Sequence, residues 1–470
     1  MCPVAGYREG RHSARVGASG PCGTLTSRMS PLARTVPLLA AVLVAAGCAL
    51  VSPRTPSAGG LPAPVRHVLS NGVRVIVQEH RASDVTALQL WVRAGGRDEA
   101  VSELGLAHYL EHMLFKGTTS RPTGFIDRDV EGVGGRMNAG TSLDYTYYHM
   151  VLPAARTGAA IDLLADISVN ASLETSVLDA EKRVVLEEMR LSEDTPRRFL
   201  ARKLYEAVFE GHPYGRPVIG TPELVRGLTR ETLLAFYRRL YAPEAFAVVV
   251  VGPVSPADVI ERAQRTFGRL PRRGSAPLPA PTLPPLRPRQ IELTRPGTQA
   301  YLGLGWHAPR IDHADVAAMD LLVTILGQTR TSRLTRALRD DLKLVSSVSS
   351  SYGALEAAGT VSVTAQTEPR NLARAETEIL REIARIRDEG VTEAERRRAI
   401  TAAEAQHEFG NETAEGRARA LGRAETVWRL EDELAYVDRV RTVTRAQIQA
   451  AAQKYLDPAR YVRVTLVPPR

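Results

Sequence analysis

The sequence has 470 residues, more than one hydrophobic core usually organises, and 44% of them are hydrophobic, so two or three well-buried domains are expected. Its net charge of +9 is spread along helical patterns among acidic residues, as at 393–398 and 415–423, without a long basic run or interleaved aromatics, which argues against a nucleic-acid partner. The three cysteines, Cys2, Cys22 and Cys48, precede the globular part, which excludes a disulfide framework, a cysteine-ligated metal and a cysteine nucleophile from it.

Residues 1–28 are rich in Gly, Ser and Arg and lack periodicity, so Met1 and Met29 are both candidate starts. From Met29 the chain has the three-part layout of a secretory signal: Arg34, an apolar run at 36–46, and the small-residue end Ala45-Ala46-Gly47-Cys48. The run is short for a permanent membrane span, although an anchor helix or an uncleaved leader is the alternative. A cysteine directly after Ala-Gly resembles the lipobox of bacterial lipoproteins. That resemblance implies a leader and signal peptide over 1–48, lipidation of Cys48, and a lipid-anchored protein on the periplasmic face of the cell envelope. Ala49 in place of a retaining aspartate leans toward the outer membrane. Residues 49–64, made of Pro, Ser, Gly and Ala, read as a flexible tether.

Folded sequence begins near Val65. Residues 68–78 read as a hairpin turning at Asn71-Gly72, and 86–93 alternate as a half-buried strand. After Gly95-Gly96 a helix is expected from about Ser102. Residues 136–152, rich in Thr, Tyr and β-branched side chains, predict a pair of strands. Helical patterns cover 155–170, 175–191 and 197–209, the last broken by His212-Pro213-Tyr214-Gly215. A helix at 229–240 and a valine-rich buried strand at 245–251 follow.

Residues 271–288 hold seven prolines and read as a linker between domains at 65–270 and 289–470. Beyond it the plan recurs: a strand at 300–306, helices at 313–326 and 333–341, strands within 345–366, long helices, and a closing strand at 462–467. Val225-Arg226-x-x-Thr229-Arg230 followed by Tyr241-x-Pro243 matches Val440-Arg441-x-x-Thr444-Arg445 followed by Leu456-x-Pro458 at a constant offset of 215 residues. The expected fold is α+β: two homologous halves, each an antiparallel sheet with helices packed on one face, forming a clam-shell around an active site.

Chemistry concentrates in the helix after Ser102. His108, Glu111 and His112 stand at i, i+3 and i+4, hence on one helix face. Two imidazoles one turn apart can clamp Zn²⁺, and a carboxylate beside them can activate its water. The order His-x-x-Glu-His is the inverzincin pattern. The competing possibility is a surface helix with two solvated histidines.

Several motifs in order then resemble the pitrilysin/insulinase family of zinc metallopeptidases, in its short bacterial and mitochondrial-processing-peptidase-like branch. They are Gly105-Leu106-Ala107-His108-x-x-Glu111-His112, Gly135-x-x-Asn138-Ala139-x-Thr141, Glu181-x-x-Val184-Val185-x-Glu187-Glu188, and His212-Pro213-Tyr214-Gly215 followed by Gly220-Thr221. The resemblance implies a third metal ligand at Glu188, 76 residues past His112, with one Zn²⁺ per chain. It implies an accessory role for Glu181, which supports a ligand without binding the metal. Glu187 competes with Glu188 for the ligand position but points about 100° away on the helix, where it is otherwise a surface charge. Glu111 becomes the general base.

Asn138 and Ala139 fall where the family presents an edge strand to an extended peptide, although Asn138 also suits a turn after Gly134-Gly135. In the second half the family has an arginine followed seven residues later by a tyrosine, which reach across to bind substrate. Here Arg339 matches and Ser346 stands in place of the tyrosine. A homologous partner subunit supplying the Arg/Tyr pair, or a homodimer, is therefore expected. The implied function is that of a zinc-dependent endopeptidase acting on peptides or unfolded segments bound in extended form, with metal-activated water as nucleophile. The alternative is a noncatalytic core or peptide-binding subunit of the same fold.

Overall fold

The computed structural model describes residues 61–273 and 282–469. The expected leader, Cys48, most of the tether and the middle of the Pro-rich segment lie outside these residues. Among the described residues no helix is long and apolar enough to cross a membrane.

Strands β1 (Val65–Val68) and β2 (Arg74–Glu79) form the hairpin expected around Asn71-Gly72, with Val68 opposite Arg74. The Asn71 carboxamide donates to the carbonyls of Phe267, at 2.8 Å, and Leu270, at 3.0 Å, and so fastens this turn to the far end of the half. The first sheet is completed by β3 (Val85–Val92), β4 (Arg136–Thr141), β5 (Thr146–Pro153) and β6 (Phe246–Gly252), in the order β1-β2-β6-β3-β5-β4. The second contains β7 (Arg289–Thr294), β8 (Ala300–Ala308), β9 (Val345–Ala354), β10 (Gly359–Thr367) and β11 (Val462–Val467), in the order β7-β11-β8-β10-β9.

Without β1 the two orders correspond strand for strand, so the internal repeat is a repeat of topology. Both sheets are antiparallel except for one pair each, β2 with β6 and β7 with β11, which run parallel.

The first half carries α1 (Leu106–Leu114), α2 (Phe125–Glu131), α3 (Thr157–Val169), α4 (Thr175–Asp194), α5 (Pro196–Val208), α6 (Pro222–Gly227), α7 (Arg230–Leu240) and α8 (Pro256–Arg265). The second carries α9 (Val316–Val323), α10 (Leu372–Glu389), α11 (Glu393–Asn411), α12 (Ala414–Val427), α13 (Leu430–Leu434), α14 (Tyr436–Thr442) and α15 (Arg445–Tyr455). The repeated threonines are helix caps. Thr229 accepts from the Thr232 amide at 3.3 Å and opens α7; Thr444 accepts from the Gln447 amide at 3.2 Å and opens α15. In both, the side chain three residues on bonds back to the capping amide, so the duplicated motif encodes a capping box.

Each sheet buries one face on helices of its own half and the other on a helix of the opposite half. Val248 and Val250 of β6 join the core with α1 and α3, whereas Ala247, Val249 and Val251 pack with Ala418 and Leu421 of α12. Coverage of both faces explains the uninterrupted valine run. The second sheet reciprocates: Val462, Val464 and Leu466 of β11 pack with Leu200, Leu204 and Val208 of α5. Small residues permit the close approach. A Cβ on Gly305 of β8 would stand 2.5 Å from Val208, and one on Gly422 of α12 would stand 2.0 Å from the Trp91 indole nitrogen. Leu283 and Leu286, at the end of the Pro-rich segment, also pack on the α5 cluster.

Candidate active site

Helix α1 starts where the Glu99 carboxylate accepts from the amides of Gly105, at 3.0 Å, and Ala107, at 2.7 Å. This satisfies two of the amides that a helix start leaves without partners. Gly105 has φ +97° and packs against Gly220, itself at φ +82°. Two motif glycines far apart in sequence thus meet back to back and fix where α1 begins. Leu106, Ala107, Tyr109, Leu110, Met113 and Leu114 are buried, which leaves His108, Glu111 and His112 on the remaining face. Helix α4 lies against it through Leu178, Val185 and Met189 and presents Glu188 to the two histidines.

Candidate ligand atoms of His108, His112 and Glu188 all lie within 4.8 Å of one another. Glu188 Oε2 is 3.8 Å from His108 Nε2 and 3.6 Å from His112 Nε2. Donors sharing one tetrahedral Zn²⁺ at ordinary bond lengths stand about 3.3 Å apart, so a closure of at most about 1.5 Å would seat the ion. The donor chemistry fits as well. His112 Nδ1 is 2.8 Å from Glu181 Oε1, and Lys116 Nζ is 3.0 Å from Glu181 Oε2. A proton on Nδ1 is thereby held by Glu181, and the Nε2 lone pair is aimed at Glu188.

Burial opposes charge on His112, but the Glu181 bond and the nearby carboxylates of Glu188 and Glu111 outweigh it and raise its pKa. Burial likewise works against ionised Glu181, but His112 and Lys116 hold its pKa below the ordinary value. Burial, reinforced by His112, pushes His108 down to about 3, so its imidazole is neutral and its lone pair available. His108 Nδ1 is buried and has no hydrogen-bond partner among the described residues.

Glu111 stands beside this cluster without joining it. Its Oε2 accepts from the Thr141 hydroxyl at 2.5 Å. Burial pushes the carboxyl up to about 7 against the opposing effect of Thr141. Thr141 ends β4, the edge strand of the first sheet, whose only strand partner among the described residues is β5. Strand amides alternate in direction, and the Thr141 amide faces Glu111. The Ala139 amide two residues earlier shares that outward direction, and the Asn138 carboxamide oxygen occupies it at 2.8 Å. Asn138 is therefore a strand residue and not a turn residue, and a free strand edge runs up to the candidate base.

The remaining candidates separate clearly. Glu187 is exposed and paired with Arg190 at 3.0 Å, away from the histidines. Arg339 lies exposed on a helical turn and pairs with its neighbour Asp340 at 2.7 Å. Ser346 donates to the Gln366 carbonyl at 3.2 Å. Among the described residues neither Arg339 nor Ser346 meets the His108–Glu188 cluster. Sequence reasoning gave no role to Thr141, Lys116 or Glu99. Thr141 could have been found from its spacing, because it shares strand parity with Ala139.

Comparison with known proteins places this geometry in a family. A family model described as insulinase, peptidase family M16, matches residues 74–222, and one described as the peptidase M16 inactive domain matches residues 227–403. A protein of Mycobacterium tuberculosis described as an uncharacterized zinc protease is 32% identical over 425 residues, which cover 89% of this chain and 95% of that one. The chain belongs to the pitrilysin/insulinase (M16) family. A probable mitochondrial-processing peptidase subunit beta of Arabidopsis thaliana is 30% identical over 270 residues, covering 55% of this chain and 49% of its own. The same fold is also seen in the crystal structure of a protease from Helicobacter pylori, at TM-score 0.82 and 24% identity over 87% of this chain and all of that one. Within the M16 pattern the candidate metal ligands all fall in the half matched by the insulinase model, and the half matched by the inactive-domain model holds none of them.

Proposed function

We propose that this protein is a zinc-dependent endopeptidase that cleaves peptides or unfolded segments bound in extended form. The observation that carries this reading is the convergence of His108, His112 and Glu188 beside Glu111, which is itself tied to the end of a free strand edge. A zinc ion held by those three residues would supply Lewis acidity, polarising a water molecule and the scissile carbonyl.

The chain's own groups do the rest. The outward amide and carbonyl of Ala139 bond the main chain of an extended peptide, the Asn138 carboxamide swinging off the Ala139 amide to admit it. Main-chain recognition of this kind accepts many sequences. Glu111 takes a proton from the attacking water through the oxygen that Thr141 leaves free, then delivers it to the departing amine. Glu181 keeps His112 in one tautomer and orientation throughout.

The test is zinc content and cleavage of a quenched peptide. About one zinc per chain is expected, and Glu111→Gln should lower kcat by about 10²–10⁴ with zinc retained. A protein without stoichiometric zinc, indifferent to Glu111→Gln, would be a noncatalytic core or peptide-binding subunit instead.

We further propose that a homologous partner subunit supplies the Arg/Tyr pair, with a homodimer, which would lack that tyrosine, as the alternative assembly. The support is that Arg339 is engaged by Asp340 while Ser346 replaces the tyrosine. Attachment to the cell envelope through a lipid on Cys48 is proposed on the strength of the 29–48 pattern.

A further inference from the structure

The His212-Pro213-Tyr214-Gly215 motif contributes nothing directly to the metal site. Tyr214 is buried, and its hydroxyl donates to Asp144 Oδ1 at 2.5 Å. Asp144 is 1% exposed and sits in the four-residue turn between β4 and β5, three residues after Thr141. Its second oxygen accepts from the backbone amide of Glu356 at 2.9 Å, and Arg97 Nη1 lies 3.1 Å from the first. The Tyr214 oxygen in turn accepts from the amide of Ala357 at 2.9 Å. Glu356 and Ala357 belong to the turn between β9 and β10, in the second half. The Glu356 carboxylate closes the network, accepting from Arg97 at 2.9 Å and from Arg93.

The segment between Asp144 and Thr141 has little freedom. The carbonyls of Ser142 and Leu143 accept from the amides of Gly96 and Arg97 at 3.0 and 2.9 Å, and the Ser142 amide donates across the turn to Tyr145 at 2.7 Å. Leu143 is buried in the cluster that holds α5, Tyr214, Ala358 and β11 together. A shift of the second-half turn would therefore pass through Asp144 along the two constrained residues Leu143 and Ser142 to Thr141, whose hydroxyl holds Glu111.

We propose that Tyr214 and Asp144 are positioning residues for Glu111, through which the β9–β10 turn of the second half sets the placement of the base at the end of β4. This rests on the reading of Glu111 as the general base. It gives the half without metal ligands a part in catalysis that needs no contact with substrate, and it gives the tyrosine of the His-Pro-Tyr-Gly motif a function. The competing explanation is that the network merely staples the halves together.

Steady-state cleavage of a quenched peptide by the zinc-loaded full chain separates the two. Tyr214→Phe keeps the ring packed against Phe209 and His212 and removes only the bridging hydroxyl. It is expected to lower kcat about tenfold, with KM within about twofold and zinc content unchanged, because small misplacements of a base act on turnover and not on binding. In a Thr141→Val background, where the hydroxyl that holds Glu111 is already gone and only the backbone amide still faces it, Tyr214→Phe should cost less than about twofold, since residues acting through one another are not additive.

Wild-type kcat for Tyr214→Phe overturns the proposal, and so does a full tenfold loss repeated in the Thr141→Val background. If Tyr214→Phe fails to fold, Glu356→Gln, which weakens the Arg93 and Arg97 pairs and leaves the turn amides in place, is judged by the same two criteria. Glu111→Gln distinguishes the levels: an active Glu111→Gln enzyme removes the general-base reading and this proposal with it, whereas an inactive one beside a fully active Tyr214→Phe removes this proposal alone.

Discussion

Replacing Glu181 tests the proposed metal site without touching a candidate ligand. Glu181 holds His112 Nδ1 at 2.8 Å and Lys116 at 3.0 Å, so its removal should loosen the His112 ring and leave Lys116 without its anion. Loss of such a partner weakens metal binding about 10- to 100-fold, or about 1.4–2.7 kcal/mol. Glu181→Gln keeps an oxygen that can accept from Nδ1 but sets an amide against Lys116, so it belongs near the tenfold end. Glu181→Ala removes both and belongs near the hundredfold end.

Competition with a chromophoric chelator gives the zinc Kd directly, and zinc-dependent stabilisation gives it independently. At free zinc about 100 times the wild-type Kd, the gain in unfolding free energy should be about 2.7 kcal/mol for wild type, about 1.4 for Glu181→Gln and about 0.4 for Glu181→Ala. Each gain is measured against the same variant without metal, so damage to the apo fold cancels. A Kd within twofold of wild type for Glu181→Ala would refute the view that Glu181 orients His112 as a ligand.

Gly422→Ala should destabilise the protein by about 1–3 kcal/mol, read from the denaturation midpoint, because its Cβ would meet a Trp91 ring that is stacked on Tyr147 at 4.8 Å and bonded to Gln89 at 2.8 Å; an unchanged midpoint would contradict the packing of α12 on the first sheet. His149, buried beside Glu415, Arg136 and Arg419, is held down to about 4, chiefly by burial. The unfolded chain binds this proton first, so stability is intact above about pH 6.5 and falls as pH drops toward 4; His149→Gln should flatten that fall in acid-titrated unfolding, and an unaltered profile would exclude His149 as its source. Cys48→Ser should move the expressed protein from the membrane to the soluble fraction, and unchanged partitioning would dispose of the lipid anchor.

Features that depend on one helix or one turn were legible in the sequence. The His108–Glu111–His112 face follows from helical spacing alone, and Thr229 and Thr444 repeat because capping is local chemistry. Glu188 is remote from the histidines in sequence, so only resemblance to a family could join it to them; Glu187 offered the same charge one residue away, and the direction of α4 brings Glu188 to the histidines while Glu187 pairs with Arg190. The valines of β6 announced burial but not what covers their second face, because Ala418 and Leu421 of α12 lie more than 150 residues away and carry no signal of their destination. The parallel pairs were missed for the same reason, since pairing direction depends on where a crossover ends. Helix α2 was missed because it is only 7 residues long between Gly124 and Gly132.

The exchange of α5 and α12 bears on how a substrate enters. Parting the halves would uncover Trp91, Ala247, Val249 and Val251 of one sheet and Val462, Val464 and Leu466 of the other. At about 1.5–3 kcal/mol for a fully buried apolar side chain, that cost is on the order of 10 kcal/mol, comparable with the whole net stability of a domain. The links of Glu356 to Arg97 and Asp144 would break as well. Rotation about the Pro-rich segment is therefore a poor way to admit a peptide, because packing and not the linker sets the spacing of the halves. The edge of β4, which has no second strand partner among the described residues, would then be reached from outside this body, and the partner subunit proposed above would bring its Arg/Tyr pair to that edge while Arg339 stays with Asp340.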